Sequence, residues 1–348
     1  MRRSKALIAA LLSVSLAALS GCSSTAGSTA SPSAATSTAD ASSVPKIDNF
    51  RVAIPHTMAF GAPMAAFGQQ GNLTDVVDEV QLSNWDGVDQ LKSLLANGEV
   101  ELAATPTYVA ANLYNKGIDV RLIAPVVWGM LYVAGPADAE PGNWESLRGK
   151  RIGVALPGSS PDLIFSYLLK ANGLNKDKDI DFVPVQDGMH LVKMLVKGEV
   201  DWAVLPEHAM TVALKKAKDN GRDLHRVLDL QKEWGKQNGG VDKFPMASLV
   251  MPGKLVDERP ELVERVLREV RAGVAKANEK EPATMEAIAS RYSLPQPMIE
   301  KVIPRLQLDA VPARAARANV EKFLTNLGTI NPAIFGGNLP DDKFYAGK

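Results

Sequence analysis

The sequence predicts an α/β fold of two lobes, each built on a parallel-rich sheet, with a ligand cleft between them. Three observations carry this reading: an internal repeat at a fixed offset, a regular alternation of strand and helix within each copy, and two apolar runs where the chain has to cross between copies.

The repeat is explicit in the residues. Arg51, Val52, Ala53 and Ile54 match Arg151, Ile152, Gly153 and Val154, one hundred positions later. At the same offset Leu91, Leu95, Gly98, Glu99, Val100, Ala103 and Pro106 return as Leu191, Leu195, Gly198, Glu199, Val200, Ala203 and Pro206. Two copies at so long a period make domain halves, not a solenoid.

Each copy reads as β-α-β-α-β-α. Strands are expected at 51–55 and 151–156, at 80–83 and 182–185, and at 100–104 and 200–205. Helices are expected at 87–97 and 189–197, with Gly98 and Gly198 just past their ends, where a left-handed cap is wanted. Pro106 and Pro206 are expected in the first turn of the next helix, where a missing N–H costs nothing. Strands alternating with crossover helices make a parallel sheet covered on both faces. The apolar run 122–134 leaves the first lobe, and 244–251 returns to it. Helices at 261–278, 283–292, 296–306 and 316–327 show three-to-four-residue apolar spacing and are assigned to packing and cover of the first lobe. The expected division is therefore 46–135 for the opening part of lobe one, 136–239 for lobe two with its linkers, and 240–348 for the return and the C-terminal helices.

Composition narrows the function classes. With 348 residues, 46% hydrophobic and 22% charged, the chain can bury a sizeable core. Basic and acidic residues balance at 39 each, which argues against a nucleic-acid partner. The only cysteine is Cys22, so no disulfide, cysteine metal cluster or cysteine nucleophile is expected in the folded body. His56 and His208 lack the acidic or histidine-rich spacing of a metal site, and neither metal nor cofactor is expected.

The first segment reads as an address. Arg2, Arg3 and Lys5 precede an apolar run at 6–19, too short to span a bilayer, which needs about 20 residues. It ends in Leu19-Ser20-Gly21-Cys22, which resembles the bacterial lipobox: the leader 1–21 is cut before Cys22, whose thiol carries a diacylglyceryl group. Cleavage takes the basic count to 36 against 39 acidic residues, a net charge of −3. Residues 22–45 are mostly Ser, Thr, Ala and Gly and form a flexible tether to the extracytoplasmic face of the cell membrane.

The lipobox, the tether and the doubled Gly-Glu-Val-x-x-Ala-x-x-Pro motif resemble extracytoplasmic solute-binding lipoproteins of ABC importers. Leu147-Arg-Gly-Lys-Arg-Ile-Gly-Val154 followed by Pro157-Gly-Ser-Ser160 narrows the resemblance to the nitrate-, sulfonate- and thiamine-precursor-binding group. The resemblance covers about residues 48–280. It implies a periplasmic-binding-protein-like fold, hinge closure on a small-molecule ligand, a monomer, and delivery to an ABC permease with its ATPase.

In open parallel sheets ligands sit beyond the carboxyl ends of the strands. That rule selects His56, Thr57, Met58, Trp85, Asp86, Thr105, Thr107 and Tyr108 from lobe one. From lobe two it selects Gly158, Ser159, Ser160, Gln186, Asp187, Glu207 and His208, with Trp128 on the outgoing crossover. Ser160 is expected as an N-cap with Pro161 as first helical residue, and Thr105 as the equivalent cap. Trp85, Tyr108 and Trp128 are candidates to clamp a ring. Asp86, Asp187 and Glu207, with no Arg or Lys in these loops, argue for a small polar organic solute carrying N–H donors rather than an inorganic anion. Two other functions stay open: a sensor presenting its ligand to a membrane receptor, and an enzyme of the thiamine-pyrimidine or menaquinone-precursor type. Against the enzyme stand the anchor and the lack of a Gly-x-Ser-x-Gly motif.

Overall fold

In a computed structural model, residues 45–347 are described. The leader, Cys22 and most of the tether lie outside them. The chain runs through β1 (Ile47–Pro55), α1 (Met58–Gly61), β2 (Val77–Trp85), α2 (Val88–Ala96), β3 (Leu102–Pro106), α3 (Thr107–Asn115) and β4 (Val120–Val127). It continues through β5 (Leu131–Pro136), β6 (Arg151–Ala155), α4 (Ser160–Ala171), β7 (Asp181–Val185), α5 (Gly188–Lys197), β8 (Trp202–Pro206), α6 (Glu207–Asp219), β9 (Leu224–Asp229) and α7 (Leu230–Gln237). After β10 (Ala247–Pro252) follow α8 (Gly253–Glu258), α9 (Pro260–Asn278), α10 (Pro282–Tyr292), α11 (Gln296–Leu306) and α12 (Ala313–Gly328).

The strands form two five-stranded sheets of identical topology, β2-β1-β3-β10-β4 and β7-β6-β8-β5-β9. In each, the repeat strands run parallel, β1 with β2 and β3, and β6 with β7 and β8. One antiparallel strand is inserted into each sheet, β10 between β3 and β4, and β5 between β8 and β9. Each inserted strand is the one by which the chain enters that sheet from the other lobe. The sheets are thus parallel-rich, four strands of five sharing a direction.

The single apolar run expected at 122–134 is two strands, β4 in one sheet and β5 in the other, broken at Trp128-Gly129-Met130. Residues 131–135, grouped by sequence with lobe one, therefore pair in the second sheet. Gly129 sits at the break with no room for a side chain: a Cβ there meets the Gln231 Cγ at 2.6 Å and the Gln307 Oε1 at 2.9 Å. Gln231 clamps the same segment, its Oε1 accepting the N–H groups of Met130 (3.0 Å) and Leu131 (2.9 Å).

The repeat glycines take their expected roles. Gly98 and Gly198 both adopt the left-handed conformation, at φ 66° and 77°, which closes α2 and α5. The prolines do not. Pro106 and Pro206 occupy the N-cap positions of α3 and α6 in extended backbone, one residue earlier than expected. The first helical N–H groups are met by the crossing segments instead, just before β10 and β5: Thr107 N donates to Met246 O (3.2 Å) and Glu207 N to Met130 O (2.7 Å). The crossings thereby tie the starts of both helices.

Candidate ligand-binding cleft

At the carboxyl ends of β1, β3, β6, β7 and β8 lies a cavity of about 510 Å³ with walls from both lobes. Its size suits a small organic molecule. Half of the residues selected from sequence line it: His56, Thr57, Met58, Tyr108, Ser159, Ser160, Asp187 and His208.

The second-lobe wall is the turn after β6. Leu156 holds φ 55°, a left-handed conformation that a branched side chain adopts only at a cost, and its side chain stays exposed at 48%. Gly158, at φ 76°, donates its N–H to Asp162 Oδ2 (2.9 Å), and Asp162 is itself buried against Ser166 and Lys176. The cap differs from expectation: Ser159, not Ser160, is the N-cap of α4, and its hydroxyl turns back to Leu156 O. Asp187 caps α5, accepting His190 N–H at 2.6 Å, which commits one carboxylate oxygen. Beside it Met189 is 43% exposed.

The first-lobe wall holds His56 in one orientation. Arg291 donates to Asn84 Oδ1 (2.7 Å), so the Asn84 amide faces the ring and donates to His56 Nδ1 (2.9 Å). That bond places the proton of a neutral His56 on Nε2. The His56 ring lies 5.8 Å from that of Tyr292. Burial pushes Tyr108 up to about 12 and pushes His208 down to about 4, so both are uncharged at neutral pH. Burial likewise raises Tyr292, against the lowering pull of Arg291.

The other candidates lie elsewhere. Trp85 is core, its Nε1 donating to Ala104 O (3.1 Å); Trp128 is core, donating to Asp309 O (2.8 Å). Neither lines the cavity. Thr107 is fully buried with its hydroxyl 2.7 Å from Ser248 Oγ, and Thr105 is a buried strand residue rather than a cap. Asp86, Gln186 and Gly158 are exposed outside the cavity.

Glu207 is the largest departure. It is fully buried away from the cleft, accepting from Arg226 Nε (2.9 Å), Arg226 Nη2 (2.5 Å) and Thr211 Oγ1 (2.6 Å), with Arg305 at 3.6 Å. Of the three carboxylates expected in the cleft only one remains: among the described residues, Asp187 is the sole carboxylate lining the cavity, and no Lys or Arg lines it.

Sequence reasoning missed the apolar lining. Met130 and Met246 come from the crossings, Leu156 from the turn after β6, Met189 from the first turn of α5, and Tyr292 and Leu294 from the end of α10, a helix assigned only to cover. Together with Met58 and Phe60 they make a flexible, polarizable surface that suits an apolar or ring-bearing solute.

Residues 78–293 match the model of the NMT1-like family, well over half of the chain. The chain belongs to the NMT1-like family. A curated relative, the 4-amino-5-hydroxymethyl-2-methylpyrimidine phosphate synthase of Candida albicans, is 24% identical over 230 residues. That match takes in 64% of this chain and 63% of the synthase, just under two thirds of its length. Among solved structures, an ABC transporter protein from Parabacteroides distasonis superposes with a TM-score of 0.70 at 24% identity, over 86% of this chain and 99% of that one. The periplasmic aliphatic sulphonate binding protein of Escherichia coli gives 0.67 at 14% identity, covering 86% and 92%. The periplasmic nitrate-binding protein of Synechocystis PCC 6803 gives 0.60 at 14%, covering 83% of each chain. This member of the NMT1-like family therefore has the two-lobed fold of periplasmic binding proteins.

Proposed function

We propose that this chain binds a small organic solute outside the cytoplasmic membrane and delivers it to an ABC-type permease with its ATPase. The cavity is the observation that supports this most directly. It lies between two lobes joined by two crossing segments, so relative motion of the lobes admits and encloses a solute. Cys22 acylation and the tether, in this proposal, hold the protein at the membrane face.

The walls favour an apolar or aromatic body, and Asp187, Ser159, Ser160 and His56 favour an edge of N–H or O–H groups. A lone carboxylate with no lining cation disfavours nitrate or a simple sulfonate, the ligands in the names of two relatives of the fold. A nitrogen heterocycle fits this set, in keeping with the likeness to the pyrimidine phosphate synthase.

Native mass spectrometry of the purified protein, followed by unfolding and identification of the released solute, tests the proposal. The expected result is a one-to-one complex releasing an unmodified neutral or cationic organic solute. Release of nitrate or an alkyl sulfonate overturns the ligand assignment, and release of a converted product restores the enzymatic reading.

A further inference from the structure

Away from the cleft, the seam between α6 and α11 encloses a second cavity of about 450 Å³. Its chemistry is the reverse of the first. Lys215 and Arg226 line it from the second lobe and Lys301 and Arg305 from α11, and no carboxylate is among its lining residues. Two of the four cations are already engaged, Arg226 by Glu207 beneath it and Lys215 by Asp219 at 2.6 Å. The other two are less committed. Lys301 has no carboxylate within 4.0 Å among the described residues. Arg305, one helical turn further on, donates Nη1 to the Lys301 carbonyl (2.6 Å) and has the buried Glu207 at 3.6 Å as its carboxylate, with 43% of its side chain exposed. Below these heads the floor is apolar, formed by Leu214, Pro295, Pro297 and Met298.

We propose that this seam is a second binding site, specific for a small amphiphilic anion: an organic carboxylate or sulfonate with a short apolar chain. The anionic head meets Lys301 and Arg305, where charge-assisted hydrogen bonds replace water. The tail lies on the floor between Met298 and Leu214. Neither feature suffices alone, because exposed cations by themselves hold an anion weakly. An occupant also touches α6, whose first turn carries His208 and Ala209 into the cleft, so filling the seam bears on the wall of the primary site.

Octanesulfonate and octanoate, titrated into the protein by calorimetry, test the assignment. We expect saturable binding that weakens as the chain is shortened, by about fourfold for each methylene removed from the apolar floor. Binding should fall about tenfold or more in Lys301→Glu, fall again in Met298→Asp, and weaken with added salt, since these charges are solvent-facing. Lys301 is exposed, so its variant should unfold like wild type, and urea unfolding checks this. Three results overturn the proposal. The first is no binding of either probe. The second is binding indifferent to Lys301→Glu but lost in Leu156→Glu, which puts the anion in the cleft. The third is Lys301-dependent sedimentation with phosphatidylglycerol vesicles without binding of the soluble probes, which makes the surface a reader of lipid headgroups.

Discussion

Replacing Glu207 separates its place in the fold from the cleft role its position in the sequence suggests. The carboxylate is fully buried and receives two hydrogen bonds from Arg226 and one from Thr211. In Glu207→Ala the guanidinium of Arg226, itself only 22% exposed, keeps Thr211 and the Tyr132 ring but loses its counter-charge. Removing one partner of a buried pair costs about 3–5 kcal/mol, and the residual exposure of Arg226 puts this site near the lower end, at about 3 kcal/mol. Glu207→Gln retains one acceptor oxygen and loses the charge, for a cost of about 1.5–2 kcal/mol. Urea unfolding followed by circular dichroism measures both. The solute affinity of Glu207→Gln should change less than about threefold, because the residue does not line the cleft. Variants within about 0.5 kcal/mol of wild type, or an affinity loss of tenfold or more without loss of stability, would refute this reasoning.

Further outcomes follow from the same structure. Trp85→Phe leaves the buried Ala104 carbonyl, and Trp128→Phe the half-buried Asp309 carbonyl, without its indole donor; they should cost about 1–2 and about 1 kcal/mol in urea unfolding and leave solute affinity unchanged by calorimetry. His208 is held near 4 when folded and returns to its ordinary value near 6.5 when unfolded, so the unfolded chain takes up the proton first. Its contribution is complete above about pH 6.5 and is lost as pH falls toward 4, a decline of about 3 kcal/mol that His208→Gln should flatten in unfolding measured across that window. Gly129→Ala forces a methyl against Gln231 and Gln307 and should lower stability by about 1–3 kcal/mol in thermal unfolding, through displacement of the first crossing.

Much of the scaffold was legible because the two lobes repeat. The hundred-residue offset fixes three strands and the helices between them, and Gly98 and Gly198 reveal their left-handed caps because only glycine adopts that backbone cheaply. The inserted strands β5 and β10 carry no repeat signal, and a continuous apolar run does not show where it changes sheets; only the Gly129 break marks the place. The cleft was legible to the extent that strand ends determine it, which is why His56, Tyr108, Ser159 and Asp187 meet there. Glu207 was misplaced because its partners Arg226 and Arg305 are brought to it by β9 and α11, at separations no local pattern encodes. Met189, Met246 and Tyr292 were missed for the same reason: single apolar residues on separate segments become a surface only when the lobes meet.

A cleft that binds the proposed solute should have a wall shaped for that purpose rather than for stability. Leu156 tests it most directly, since it holds a costly backbone conformation while leaving its side chain half exposed to the cavity. Leu156→Gly relieves about 1–2 kcal/mol of backbone strain and adds about 0.5–1 kcal/mol of unfolded-state entropy, so stability should stay level or rise slightly. The same change removes an apolar contact from the solute, worth about 1 kcal/mol for the exposed half of the side chain, and affinity should fall about five- to tenfold. Calorimetric titration of the solute recovered from wild type, alongside urea unfolding of both proteins, reads the two quantities. Weakened binding with undiminished stability is the predicted result; unchanged affinity would contradict the account.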